Sequence, residues 1–186
     1  MLPETQIHKT SQTLLSETAA LALASRTDTA NLASEARALC DSAHGNIITY
    51  SKKVFIPLTH LCRDVCHYCT FARTPKRIDQ AYMSVEQVLN LCHRGAIEGC
   101  QEALFTLGEK PELRYKAARE ALAELGFEST IDYVIEIAGA VLKETGLIPH
   151  INAGNMTKVE IDKLRQVSAS MGIMLESASS RLCEKG

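Results

Sequence analysis

The sequence predicts an α/β protein in which short strands alternate with helices. Four apolar runs of strand length are spaced along the chain, segments with helical periodicity separate them, and turn-forming residues punctuate the pattern. Strands that alternate with helices form parallel βα units, which assemble into a barrel or a doubly wound sheet. In both arrangements the loops that carry function lie at the carboxyl ends of the strands.

The first part of the chain, residues 10–44, is predicted to be mostly helical. One face of it carries the regularly spaced apolar residues Leu32, Ala36, Leu39 and Ala43. Because Gly45 and Asn46 end this segment, we expect an N-terminal helical segment, residues 1–47, and a core domain, residues 48–186.

Four strands are predicted in the core domain. They are Val54–Thr59, Ala103–Leu107, Leu147–Ile151 and Gly172–Leu175. Since the carboxyl ends of parallel strands meet at one edge of a sheet, we expect the groups that follow the strands to share one face of the protein. These groups are a cluster of cysteines, the Gly108-Glu109 turn, Asn152 and Glu176.

Capping and periodicity predict the helices between these strands. Ser84 with Gln87 and Thr157 with Glu160 have the spacing of a capping box, Thr130 is a candidate N-cap, and Gly126 and Gly146 are candidate helix ends. A further helix is predicted from about Leu113 to Leu125.

Composition excludes several classes of protein. Hydrophobic residues make up 46% of the chain and charged residues 23%, which is typical of globular domains and not of disordered or collagen-like chains. With 20 Lys and Arg against 22 Asp and Glu, the chain lacks the basic excess of nucleic-acid-binding proteins. It also lacks an apolar run of about 18 residues that could span a bilayer. We therefore expect no nucleic-acid or membrane partner.

The seven cysteines are odd in number and unevenly spaced. This pattern argues against a disulfide framework and for a reducing compartment, so we expect a cytoplasmic protein. Three of them, Cys62, Cys66 and Cys69, have the spacing C-x-x-x-C-x-x-C on the loop after the first strand. The remaining four fall within or beside helical patterns, where a thiol usually behaves as a small apolar side chain. They are Cys40, Cys92, Cys100 and Cys183.

Three clustered thiolates allow two kinds of metal site. A structural zinc ion needs a closed shell of four ligands, so zinc would have to recruit His60 or His67. An iron-sulfur cluster can instead leave one iron open, and that iron can chelate the amino and carboxylate groups of a methionine moiety. No histidine is assigned a catalytic role, because none is paired with a carboxylate at a set spacing. The small basic patch Arg73, Lys76 and Arg77 is expected to be solvated.

The segment from Cys62 to Ala72, CRDVCHYCTFA, resembles the signature of the radical S-adenosylmethionine (radical SAM) superfamily. More narrowly, residues 51–72, 99–112 and 167–176 resemble the 7,8-didemethyl-8-hydroxy-5-deazariboflavin synthases. These enzymes build the deazaflavin chromophore of coenzyme F-420. The resemblance extends from Ile48 to the end of the chain.

The resemblance implies two cofactors, a 4Fe-4S cluster on Cys62, Cys66 and Cys69, and S-adenosylmethionine (SAM) on its open iron. Tyr68 occupies the aromatic position before the last cysteine, a region that lies along the adenine. Glu176 is implied to touch the ribose or the methionine part of SAM, and a solvated acid is the simpler alternative for this residue.

Two further strand ends match motifs of the superfamily. Gly108 and Glu109 take the place of a glycine-glycine-glutamate motif whose backbone meets the methionine amino group, with Leu107 in place of the first glycine. The simpler alternative is that Gly108 only makes the turn. Asn152 and Gly154 match an Asn-Pro-Gly segment in which alanine replaces the proline here.

The implied activity is that of a carbon-nitrogen lyase. It converts the tyrosine-derived adduct of 5-amino-6-ribitylaminouracil into the deazaflavin with loss of ammonia, and it needs a sister radical SAM enzyme to supply the adduct and an electron donor. The implied fold is a partial (βα) barrel with four of about six βα units. We therefore expect a core that is incomplete at its C-terminus and that turns over poorly. A zinc-stabilised binding module and an inactive truncated relative are the alternatives.

Overall fold

The computed structural model of the chain describes residues 15–174 and 179–183. The chain forms two compact units with a boundary between Thr49 and Tyr50, two residues beyond the expected division. Within the described ranges, no helix is long and apolar enough to cross a membrane.

The first unit contains two helices, α1 (Glu17–Leu23) and α2 (Thr29–His44), as the sequence predicts. Arg26 pairs with Asp28 at 2.7 Å and with Glu35 at 2.6 Å, and its guanidinium lowers the pKa of Asp28 to about 2. Neither helix has a buried residue. The predicted apolar face of α2 is therefore not a core face in this structure.

The second unit contains four parallel strands joined by helices. The strands are β1 (Lys53–Ile56), β2 (Glu102–Thr106), β3 (Ile148–Asn152) and β4 (Ser170–Met171). The helices are α3 (Val85–Ile97), α4 (Lys116–Leu125), α5 (Thr130–Thr145), α6 (Lys158–Leu164) and α7 (Ser180–Cys183). Short 3-10 turns lie at Pro75–Arg77 and Pro111–Leu113.

The strands lie in the sheet in chain order, β1-β2-β3-β4. In register, Phe55 lies beside Leu104, and Leu104 lies beside His150. A doubly wound sheet reverses its strand order at a switch point, whereas sequential parallel order is that of a (βα) barrel. The fold is thus α/β with four parallel strands of a partial barrel, as predicted.

Strand side chains alternate between a buried face and an open face of the sheet. The buried face packs under helices, with α3 against β1 and α5 against β3. It consists of Val54, Ile56, Ala103, Phe105, Pro149 and Ile151. On the open face, Phe55 is 47% exposed and Ile148 is 44% exposed. The core therefore lies on the helical side of the barrel wall.

All four strands end at residues other than those predicted, by one residue in β2 and β3 and by three or four in β1 and β4. β1 ends at Ile56 and not at Thr59, because Pro57 has no N–H to pair and Leu58 donates its N–H back to the Ile56 carbonyl at 3.0 Å. β4 ends at Met171, before the predicted run at 172–175. Gly172 still donates its N–H to the Ile151 carbonyl at 3.0 Å, but β3 ends one residue further on, at Asn152. Residue 175 lies outside the described part of the chain.

The helix boundaries follow the capping signals closely. Both predicted capping boxes are present, at Ser84 with Gln87 and at Thr157 with Glu160, and Gly126 and Gly146 end α4 and α5. The cap of α5 is Ser129 and not Thr130, since the Ser129 hydroxyl accepts from the Asp132 N–H at 3.1 Å. Thr130 is the first helical residue. α4 begins at Lys116 and not at Leu113, because a 3-10 turn precedes it.

We predict that Gly95→Ala destabilises the protein although alanine favours helix by about 1 kcal/mol. A Cβ at Gly95 would lie 2.8 Å from the Val54 Cβ, and overpacking of this kind costs about 1–3 kcal/mol. Denaturant unfolding measures the effect. Because the clash involves one pair, Gly95→Ala combined with Val54→Ala should be more stable than the sum of the two single changes. Additive losses would contradict this packing.

Candidate metal centre

The loop after β1 brings the three clustered cysteines to one cavity. Cys62, Cys66 and Cys69 all line a cavity of about 240 Å³. Cys69 donates its backbone N–H to the Cys66 carbonyl at 3.0 Å, which closes a turn between these two residues. Cys62 is half-buried, whereas the other two are exposed.

The donor set of this cavity is three cysteine thiols, and cysteine thiolates are the ligands of iron-sulfur clusters. In the described part of the chain, no group of three His, Cys, Asp or Glu side chains is placed to hold a single metal ion. The Nδ1 of His60 lies 3.0 Å from the Phe71 carbonyl, and this contact turns the ring toward Phe71.

Cys62 is contacted by backbone N–H groups of two loops. Its Sγ accepts the N–H of Asp64 at 3.4 Å and the N–H of Glu109 at 3.3 Å. Glu109 belongs to the turn after β2, so this sulfur joins the loops of two neighbouring strands.

Gly108 allows those two loops to run side by side. Its N–H donates to the Thr59 carbonyl at 3.0 Å. A Cβ at this position would overlap the Leu61 carbonyl oxygen, and it would lie 2.5 Å from the carbonyl carbon and 2.9 Å from the Cys62 Cβ. The glycine is therefore required by close backbone approach and not only by the turn.

Glu109 connects three loops through one buried carboxylate. Its side chain is 10% exposed and pairs with Arg63 Nη2, while its Oε2 accepts the Asn155 N–H at 2.9 Å. Gly154, with φ of +75°, passes so close that a Cβ there would lie 2.8 Å from the Glu109 Cδ. Sequence reasoning did not identify Arg63 or Asn155 as partners, because both are distant from Glu109 along the chain.

The turn after β2 is also fixed to α6. Lys110 has a left-handed backbone, with φ of +33°, and its ammonium lies 2.9 Å from Glu160. Burial raises the pKa of Glu160, but the hydrogen bonds from Lys110 and Thr157 outweigh it, so the pKa is lowered overall. The carboxylate is therefore charged near neutral pH and holds Lys110 in place.

Arginine side chains surround the cysteine cavity. Arg73, Arg77 and Arg114 line it together with the cysteines. All three are exposed, so the expectation of solvation holds for the first two, but their position beside the thiols was not predicted. The positive charges offset the negative charge that several thiolates bring to one site.

The remaining predicted site residues are Tyr68, Asn152 and Glu176. Tyr68 is on the cysteine loop and is 65% exposed. Asn152 ends β3, and its Oδ1 lies so close to Gly172 that a Cβ there would be 2.5 Å away. Glu176 lies outside the described residues.

The open face of the sheet carries polar groups near its carboxyl edge. Thr106 and Asn152 lie side by side in the register of β2 and β3. One layer below, the His150 Nδ1 lies 2.6 Å from the Ser170 hydroxyl. A barrel interior is usually packed with branched apolar side chains, so these polar groups are suited to hydrogen-bond a bound molecule.

The other cysteines differ in their exposure. Cys92 is buried, and burial raises the pKa of its thiol to about 11, so it behaves as a small apolar residue. Cys100 is half-buried. Cys40 is exposed on α2. The side chain of Cys183 is not among the described ones.

Comparison with known proteins agrees with this geometry. The family model of the Radical SAM superfamily matches residues 56–185. The FO synthase of Mycobacterium leprae is 52% identical over 141 residues, and the 7,8-didemethyl-8-hydroxy-5-deazariboflavin synthase of Methanopyrus kandleri is 47% identical over 139 residues. The matches cover 74% and 75% of this chain but only 16% and 42% of those proteins. The chain thus spans less than half of their length.

A solved structure shows the same fold at low sequence identity. The crystal structure of methylornithine synthase superposes with a TM-score of 0.65 at 20% identity, and the match covers 92% of this chain and 47% of that one. At this identity the likeness supports the partial barrel and carries no argument about substrate.

We predict that Gly108→Ala abolishes iron-sulfur loading, because the added Cβ forces the turn after β2 away from the Leu61 carbonyl and from Cys62. Iron and sulfide analysis after anaerobic reconstitution measures the loss, and circular dichroism checks the fold. Gly139→Ala is the matched control, since its nearest contact would be an ordinary 3.5 Å. Normal loading of the Gly108 variant would contradict the close approach.

Proposed function

The chain belongs to the radical SAM superfamily, and on that premise we propose that it binds a 4Fe-4S cluster and SAM and acts in the synthesis of a deazaflavin. The observation that carries the proposal is the convergence of Cys62, Cys66 and Cys69 on one cavity at the carboxyl edge of a parallel barrel wall. Identity of about one half to FO synthases supports the narrower activity.

In this proposal the three cysteines hold the cluster, and residues of the neighbouring strand ends hold SAM. The Gly108-Glu109 backbone would hold the methionine part of SAM, and Tyr68 would hold the adenine. Asn152 and Glu176 belong to the same binding region. When bound, the cluster supplies the electron that cleaves SAM reductively and so generates a radical that removes hydrogen from the substrate.

The proposed substrate is the tyrosine-derived adduct of 5-amino-6-ribitylaminouracil, which closes to the deazaflavin ring with loss of ammonia. The open face of the sheet supports a flat, polar substrate of this kind. On this face Phe55, Leu104 and His150 form one row across β1, β2 and β3, and Thr106 and Asn152 lie one row nearer the carboxyl edge. A reactive carbon radical takes hydrogen from the nearest suitable bond, so the role of these residues is to orient the substrate and exclude competitors.

Two partners follow from the proposed reaction. A sister radical SAM enzyme supplies the adduct, and a reducing partner supplies electrons to the cluster. Arg73, Arg77 and Arg114 line the cysteine cavity and are exposed, and in this proposal they pair with acidic groups of the reductant.

We predict that the anaerobically reconstituted chain is brown and carries about four iron and four sulfide per chain. Cys62→Ala, Cys66→Ala and Cys69→Ala should each lose most of this iron, whereas Cys40→Ala, an exposed thiol on α2, should not. Metal analysis with visible and EPR spectra makes the measurement. A colourless protein with one zinc per chain would contradict this proposal and support a zinc-stabilised binding module.

We further predict that the reduced, loaded chain cleaves SAM to 5'-deoxyadenosine and that the adduct stimulates this cleavage. Chromatographic detection of 5'-deoxyadenosine tests the superfamily chemistry, and deazaflavin fluorescence tests the product. If SAM is cleaved at the same rate with and without the adduct, the result would contradict the deazaflavin activity but not the cluster assignment.

A further inference from the structure

We propose that Arg63 and Glu109 are a positioning pair that holds the Glu109 backbone N–H on the sulfur of Cys62, and that this contact raises the midpoint potential of the cluster. The inference rests on the proposed function, because it concerns the cluster that Cys62 binds. It assigns to both side chains a role in tuning the cluster rather than in contacting the substrate.

The sulfur of Cys62 is a hydrogen-bond acceptor for two loops. It receives two backbone N–H groups, from Asp64 at 3.4 Å and from Glu109 at 3.3 Å. Hydrogen bonds to cluster sulfurs withdraw electron density and are one of the levers by which a protein sets a cluster potential. The Glu109 N–H is the donor that comes from a different strand end, so its position depends on tertiary contacts.

Those tertiary contacts converge on Glu109 from two sides. Its carbonyl accepts the Arg63 N–H at 2.9 Å, and its carboxylate pairs with the Arg63 side chain. The second carboxylate oxygen accepts the Asn155 N–H at 2.9 Å. Arg63 is held in turn by Arg114, whose Nη1 donates to the Arg63 carbonyl at 3.0 Å. The buried carboxylate thus sits between the cysteine loop and the loop after β3.

Glu109→Gln tests the pair with little change in volume. The carboxylate uses one oxygen for Arg63 and the other for Asn155, whereas an amide has one acceptor oxygen and an NH2 group that would face a donor. The variant therefore loses either its contact with Arg63 or its contact with the Asn155 N–H. Arg63→Gln removes the other partner and leaves a buried carboxylate without its counter-charge.

For Glu109→Gln, the loss of charge and the loss of the positioning pair shift the midpoint potential of the cluster in opposite directions. Removing a negative charge near the cluster favours the reduced, more negative state and raises the potential. Loosening the N–H contact with Cys62 lowers it. We expect a lower midpoint potential in Glu109→Gln and in Arg63→Gln. The double variant should fall no further than the larger single effect, because both changes break one interaction.

The experiment is an EPR-monitored redox titration of the anaerobically reconstituted 186-residue chain, with iron and sulfide content and circular dichroism measured in parallel. Glu112→Gln is the matched control. Glu112 is also a buried carboxylate on the turn after β2, but its oxygens accept from Thr130, at 2.6 Å from the hydroxyl and 3.3 Å from the N–H. The Glu112→Gln variant should keep the wild-type midpoint potential even if the substitution lowers the stability of the fold.

A Glu109→Gln potential at or above wild type overturns the proposal, and so does an equal fall in Glu112→Gln. Loss of iron from a folded Glu109→Gln chain, with normal loading of Glu112→Gln, supports the positioning role. Arg63→Lys keeps the charge but lacks the planar fork of arginine. It should also lower the potential, and it decides the matter if Glu109→Gln does not fold.

The two proposals fail in different ways. A wild-type chain that binds no cluster overturns the proposed function and this inference with it. A loaded wild-type chain whose potential is unmoved in the Arg63 and Glu109 variants overturns the positioning pair alone.

Discussion

The close approach of two backbones at Gly108 is the constraint on which the metal centre depends. The loop after β1 carries all three cysteines, but a loop of this length does not define the position of a sulfur by itself. Contact with the turn after β2 supplies that definition, through the bond from Gly108 to Thr59 and the bond from Glu109 to Cys62. A side chain at position 108 would occupy the space of the Leu61 carbonyl.

The turn after β2 is in turn held by two buried acids that face different parts of the fold. Glu109 binds toward the cysteine loop and the loop after β3, while Glu112 binds the first turn of α5 through Thr130. The Thr130 hydroxyl also lies 2.7 Å from the Tyr82 hydroxyl in the core. Buried carboxylates are costly unless they are paired, so each of them requires its partners to be in place. Glu109 thus fixes the side of the turn that contacts the cysteine loop, whereas Glu112 fixes the side that packs on α5.

The two faces of the sheet have different roles, one in the core and the other at the candidate site. One face gives Ile56, Phe105 and Ile151 to the core under α3 and α5. The opposite face carries polar residues near the carboxyl edge, where the cysteine loop also lies. Parallel strands in chain order bring these groups to one edge, which is why one barrel wall supports chemistry that differs between members of a superfamily.

Much of the fold could be predicted from the sequence because its signals are local. The alternation of strands and helices, both capping boxes and the glycine helix ends follow from residues within a few positions of each other. Strand ends were displaced by one to four residues and the cap of α5 by one. Pro57 has no N–H with which to continue β1, and the Thr130 hydroxyl bonds to Glu112 instead of capping α5. The helix predicted over α2 is present, but none of its residues is buried.

The cysteine motif was also decided by the sequence alone, because its three ligands lie within eight residues and need only a loop to converge. The sequence did not determine that Arg63 and Asn155 hold Glu109, that Arg114 lines the cavity, or that Gly108 is required by a neighbouring carbonyl. These contacts join residues about 45 to 50 positions apart. Only the parallel sheet brings such residues together, because its register places the ends of β1, β2 and β3 at one edge.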